Sequence, residues 1–170
     1  MKKHLLAFCV LGLVIVGCKK KQPEPTTLDL LTAHLWISKQ LELNITVAGT
    51  PAFAENRQTD SLAVEFKREG TAIFYQRNPA NGVLTEISRQ GYSLSADEKK
   101  IEFTNPLPLL PPTLQAQITL LGIRLPTSVD IEKLTRDELI LKGSFQQNIT
   151  LPDVPFPVPI AANYRFSFGK

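Results

Sequence analysis

The stretch Leu35-Trp36-Ile37-Ser38-Lys39-Gln40-Leu41-Glu42-Leu43-Asn44-Ile45-Thr46-Val47 decides the fold. Leu35, Ile37, Leu41, Leu43, Ile45 and Val47 are apolar, while Ser38, Gln40, Glu42 and Asn44 between them are polar. Such strict alternation suits a strand with one buried face and no helix, whose apolar positions recur every three or four residues. In this reading Lys39 is the one inward misfit. Trp36 falls on the polar phase, so it covers a barrel end or packs beneath the preceding turn, and Gly49 to Asp60 reads as a polar loop.

The pattern repeats outward along the chain. Leu62, Val64 and Phe66 alternate with polar neighbours, and Gly70 supplies the positive φ of a tight hairpin before the apolar run Thr71 to Tyr75. Asn78 to Gly82 is a second turn, followed by a strand opening on Val83, Thr85 and Ile87, with a bulge expected at Gly91. Ala96 to Lys99 turns the chain into Ile101 and Phe103. Val129 to Glu132 and Leu139 to Leu141 flank a turn at Thr135-Arg136-Asp137, and Tyr164, Phe166 and Phe168 share one face of a last strand. Upstream, Thr26 or Thr27 can cap a helical turn over Leu28 to Leu31. The 170 residues are 43% hydrophobic with 13 prolines, which excludes a disordered chain, argues against a helical bundle and favours one all-β domain.

The first 27 residues read as an address. A basic start, Met1 to His4, precedes an apolar run, Leu5 to Val16, too short to span a bilayer as a helix. The run closes on Ile15-Val16-Gly17-Cys18, which resembles a bacterial lipobox. The resemblance implies that residues 1–17 are a lipoprotein signal peptide and that the Cys18 thiol is the lipid attachment point. Each acyl CH₂ buried contributes about 0.8 kcal/mol, so a multiply acylated Cys18 anchors the protein to the membrane. Residues 18–27 are then a lipidated N-terminus and flexible tether, and 28–170 the folded domain. Lys19 beside the cysteine, in place of the Asp that retains such proteins at the inner membrane, resembles the outer-membrane default. The expected location is the cell envelope.

Charge and cysteine content narrow the chemistry. Five of the 19 Lys and Arg residues lie within the first 21 positions, leaving 14 basic against 16 acidic groups in the remainder, so no nucleic-acid partner is expected. Of the two cysteines, Cys9 leaves with the signal and Cys18 is acylated, which removes disulfides, thiol nucleophiles and Cys-bound metals. His34 is the only histidine after Cys18, and no nucleophile elbow, phosphate loop or zinc motif accompanies it. The acid pairs Asp97-Glu98 and Asp137-Glu138 fall at turns, where solvated carboxylates are ordinary. No catalytic residue, cofactor or metal site is expected.

The order of these pieces is itself informative. Leu30-Leu31-Thr32 leading to Trp36, then Phe66-x-x-x-Gly70-Thr71, Tyr92-Ser93-Leu94-Ser95-x-Asp97-x-Lys99-x-Ile101, Ile131-x-x-Leu134-Thr135-x-Asp137-x-Leu139-Ile140-Leu141 and Tyr164-x-Phe166-x-Phe168 resemble the lipocalin-like domains of Gram-negative envelope lipoproteins. The glycine that usually precedes the tryptophan is replaced here by Ala33, His34 and Leu35. The resemblance implies a small antiparallel up-and-down β-barrel whose interior can hold an apolar ligand.

Two insertions, Asn105 to Thr127 and Phe145 to Ile160, depart from that pattern and hold nine of the 13 prolines. Their leucines would be left in water by structureless loops, so they must cover something. Leu114, Ile118, Leu121 and Leu125 also fit one helical face, leaving 113–121 open between strand and helix. The hairpin at Thr135 to Asp137 brings both insertions to one barrel end. Extending its register places Ile123 near Ile149 and Leu121 near Leu151 in a ribbon over the mouth. Pro155, Pro157 and Pro159 on one phase suit an extended edge, while Phe156 and Val158 on the other, with Ile123 and Leu121, form a lid over the pocket. Two functions follow. One is a noncatalytic anchored barrel binding an apolar or amphipathic small molecule. The other is an envelope protein–protein interaction module with a filled barrel and apolar docking insertions.

Overall fold

The computed structural model describes residues 23–108, 120, 123–150 and 155–170. Cys18, Leu121, Leu151 and residues 113–119 lie outside the described residues. Among the described residues nine antiparallel strands form one sheet: β1 (Trp36–Val47), β2 (Thr50–Gln58), β3 (Leu62–Lys67), β4 (Thr71–Arg77), β5 (Leu84–Leu94), β6 (Lys100–Phe103), β7 (Ser128–Leu134), β8 (Glu138–Ile149) and β9 (Val158–Gly169). β9 returns to pair with β1, which closes β1 and β3 to β9 into an eight-stranded up-and-down barrel with β2 attached to β1. The fold is the all-β, lipocalin-like barrel that the alternation and the resemblance imply.

The first strand holds the main surprise. Trp36 and Ser38 are buried, and so are Leu41 and Leu43, so the inward phase changes within one strand. The register against β9 slips between Ser38 and Gln40, a bulge that places Lys39 and Gln40 together on the outside. Lys39 is therefore an exposed bulge residue and no inward misfit. Trp36 becomes a core residue with no exposure, and its indole Nε1 donates to the Leu31 carbonyl at 2.8 Å.

That hydrogen bond fastens the plug of the lower end. Thr26 caps the short helix α1 (Thr27–Leu31) through a capping box with Asp29. Asp29 also pairs with Arg68 in the turn after β3, tying the helix to the barrel rim. Its carboxyl is held down to about 2 by the Thr26 backbone N–H first and by Arg68 next. Above this plug the closed section is packed with rings. Phe66 meets Tyr92 edge-on at 5.1 Å and Phe103 at 6.3 Å, Phe74 lies 5.9 Å from Phe103, and Phe166 lies 6.4 Å from Phe168. All belong to a single buried core with Leu41, Ile101, Leu139 and Leu141.

Two further expectations need correction. Residues 50–58 form strand β2 instead of a loop, because Ala48 and Gly49 both take positive φ, 51° and 79°, and make a two-residue hairpin turn. Burial periodicity missed β2 because the strand is exposed on nearly every residue; pairing with β1, and not a buried face, makes it a strand. The bulge of β5 is opposite Phe74 and Tyr75, where Ile87 is the extra residue, and not at Gly91. Gly91 is needed for another reason: a Cβ there would sit 2.9 Å from Thr104 Cγ2.

Candidate functional site

The strands of one wall outrun the rest of the barrel. Above the bulge at Lys39, β1, β8 and β9 pair without a break up to Val47, Ile149 and Val158, well above the last β7–β8 pair at Asp130 and Lys142. With β2 on the outer edge of β1, they make a ribbon in the order β2-β1-β9-β8 that rises over the mouth. The phase that builds the core lower down continues along it. Leu43 gives way to Ile45 and Val47, Phe166 to Ala162 and Ile160, and Leu141 to Phe145 and Ile149. Ile149, Val158 and Ile160 are buried there as a second apolar cluster, separate from the core, with Ile45, Val47 and Ile123 packed on it.

The residues expected to form a lid divide. Val158 is buried at the start of β9 opposite Ile149, and Ile123 packs on the same cluster. Phe156 is 64% exposed, so it does not join them. The physical reason is that β9 begins at Val158 and the chain bends at Pro155 and Phe156, which ends the alternation before it reaches the phenylalanine. Leu121 lies outside the described residues.

The ribbon is built by β8 and β9, with Ile149 pairing with Val158, and Ile123 packs on the cluster that holds Ile149, near it as the register argument expects. The described part of the first insertion meets β8 through the Arg124 backbone N–H, which donates to Gln147 Oε1 at 2.9 Å, and through Ile123 on the Ile149 cluster. The two insertions do leave the barrel at one end, since both connect the top of β7, β8 or β9. Pro159 is not at an edge, because β9 runs between β8 and β1. Pro159 is tolerated at the second residue of β9, where pairing with β1 is ending, and its carbonyl still accepts from Ala48 N at 2.8 Å.

Gly143 shapes the neck between core and ribbon. It lies directly across from Tyr164, whose ring covers the space a side chain would take: a Cβ at Gly143 would sit 2.7 Å from Tyr164 Cε2 and closer still to Cζ and the hydroxyl. The ring also packs at 5.7 Å on Phe166. Removal from water, with the Asp130 carboxylate nearby, pushes the Tyr164 phenol up to about 12.

The inner wall also carries a polar residue. Gln90 is 5% exposed, shares the inward phase with Tyr92 and faces core residue Ala72 across the ladder. Its Oε1 accepts from Asn105 N at 2.9 Å. The early bulge at Ile87 turns it inward, whereas a bulge at Gly91 would have left it outside.

The outer wall offers a different surface. An open groove of about 290 Å³ runs over β1, β9 and β8. Arg165 lies along it, 3.4 Å from Glu42 and 3.2 Å from Glu132. These cross-strand charges satisfy one another, as on a solvated face. His34 lies between α1 and β1 with its ring 4.3 Å from Trp36, and Asp97 and Asp137 lie in turns, where they bond Ser95 and Lys170. Among the described residues no group of three or more His, Cys, Asp or Glu gathers in metal-binding geometry, and no helix is long and apolar enough to cross a membrane. Comparison with known families, curated proteins and solved structures finds no match to this chain.

Proposed function

We propose that the protein is a noncatalytic lipoprotein, held at the outer membrane of a bacterial envelope through acylated Cys18, whose barrel binds an apolar or amphipathic small molecule at its mouth. The observation that carries this reading is the division of the apolar surface. The closed section is filled by Phe66, Phe74, Phe103, Phe166 and Phe168, so the ligand belongs above it, on the separate cluster of Ile149, Val158 and Ile160. An apolar cluster set apart from the filled core is what such a ligand would need.

Saturable displacement of a fluorescent fatty acid tests the reading, with Ile160→Asp, on the ribbon face, abolishing binding and Phe168→Leu, deep in the filled section, leaving it. Absence of saturable binding across diverse apolar probes would overturn it. The filled interior favours a second reading, an envelope protein–protein interaction module, and the exposed Phe156 beside the mouth suits a docking contact. Native mass spectrometry of protein taken from its own envelope separates the two: a retained small molecule supports the first and a retained protein the second.

A further inference from the structure

β2 ends the sheet. Among the described residues it pairs with β1 and with no other strand, and nearly all of its residues are exposed, Phe53 to 41%. A strand edge in that position is a template for another strand. Two hydrogen bonds fix which of its backbone groups face outward. Thr59 N donates to Lys39 O at 3.1 Å, continuing the β1–β2 register, and across β1 Ala48 N donates to Pro159 O at 2.8 Å, continuing the register with β9. Bonded and unbonded pairs alternate along an antiparallel ladder, so odd positions of β1 bond β2 and even positions bond β9. Ala54, Asn56 and Gln58 stand opposite even positions and therefore turn their N–H and C=O away from β1. Pro51 has no N–H to offer that edge, and Ala52 is the extra residue of a bulge, so the competent edge runs from Ala54 to Gln58.

That segment is self-complementary. Glu55 and Arg57 flank Asn56, share a face and pair with each other at 2.9 Å within one chain. An antiparallel copy related by a two-fold axis through Asn56 sets Glu55 opposite the partner's Arg57 and Arg57 opposite the partner's Glu55, with two backbone hydrogen bonds at each outward position. Neighbouring registers lose this match. An axis through Glu55 or Arg57 sets like charges against each other, one through Ala54 runs into the bulge, and one through Gln58 carries the pairing past the end of β2.

We propose that β2 is a dimerisation edge, through which two copies of this chain pair antiparallel over residues 54–58 with Asn56 on the axis. Exposed Phe53 then lies diagonal to the partner's Arg57, on the face that carries the charges. So short an edge buries less than a permanent dimer requires, and the association is reversible, with a dissociation constant in the micromolar range. A two-fold axis leaves heights along itself unchanged, so both plugged ends, and the Cys18 anchors proposed above, meet one membrane when the axis stands normal to it. Pairing needs no ligand at the mouth.

Sedimentation of the purified full-length protein in density-matched detergent, from about 1 to 100 μM, should show a monomer–dimer equilibrium. Arg57→Glu makes the edge acidic and Glu55→Arg makes it basic, and each should weaken dimerisation by about tenfold or more. Mixed together, the two variants should associate with each other. The double exchange, Glu55→Arg with Arg57→Glu, should restore the affinity of the unmodified protein. Recovery requires folded chains, so it separates lost contacts from lost structure. A monomer across the whole range, which needs no variant to observe, would overturn the proposal. A dimer indifferent to both single reversals would place the interface elsewhere and overturn it equally.

Discussion

Replacing Gly143 by Ala tests the packing of the neck in a way that reverses sign with one other residue. On its own, alanine should stabilise a strand position relative to glycine by about 0.5–1 kcal/mol, because the unfolded chain has less freedom to lose. Here the new methyl group would occupy space held by Tyr164 Cε2, Cζ and the hydroxyl. The ring cannot yield inward, since it rests on Phe166 at 5.7 Å. Overpacking of this kind costs about 1–3 kcal/mol, so the net loss should be about 1–2 kcal/mol and the midpoint of thermal unfolding should fall by about 2–8 °C. In a Tyr164→Ala background the obstacle is gone, and the same change should raise the midpoint. Circular dichroism melts of the four proteins in the double-mutant cycle measure the coupling. A second readout is independent of stability: a ring displaced into water loses the desolvation that holds its phenol at about 12, and the alkaline absorbance titration should move toward ordinary tyrosine. An equal cost of Gly143→Ala in both backgrounds would refute the reasoning.

The remaining predictions concern the plug and the N-terminal cysteine. Trp36→Ala removes a fully buried ring and leaves the Leu31 carbonyl without its donor, so urea unfolding should report a loss of about 3–5 kcal/mol; a loss below about 1 kcal/mol would contradict the buried placement. Asp29 has a folded value of about 2, below its ordinary 3.8, so its contribution is present above that ordinary value and disappears as the pH falls toward 2. Arg68→Ala should raise the Asp29 carboxyl in a ¹³C titration, and an unchanged midpoint would remove Arg68 from the account. Cys18→Ala should leave the barrel folded but either free of the membrane or trapped as an unprocessed precursor, which fractionation and the mass of the chain decide; retention at unchanged mature size would refute the anchor.

The alternation of Leu41, Leu43, Ile45 and Val47, the glycine turns and the apolar final strand determined the all-β class and most hairpins from the sequence alone, because a half-buried strand writes its two faces directly into the chain. The helix start was legible to within one residue, Thr26 or Thr27, and the structure selects Thr26, whose capping box joins residues three apart. What stayed hidden were the features that neighbours impose. β2 exists through its pairing with β1 and carries no buried face to read. The bulges at Lys39 and Ile87 each insert one residue, and each reverses every assignment of inside and outside beyond it. That reversal brought Trp36 into the core and Gln90 onto the inner wall. The exposure of Phe156 was likewise set by where β9 begins, a boundary fixed by Ile149 across the ladder and not by the proline alternation. Periodicity reports which residues share a face as long as the count is unbroken, and only the tertiary pairing says where the count restarts.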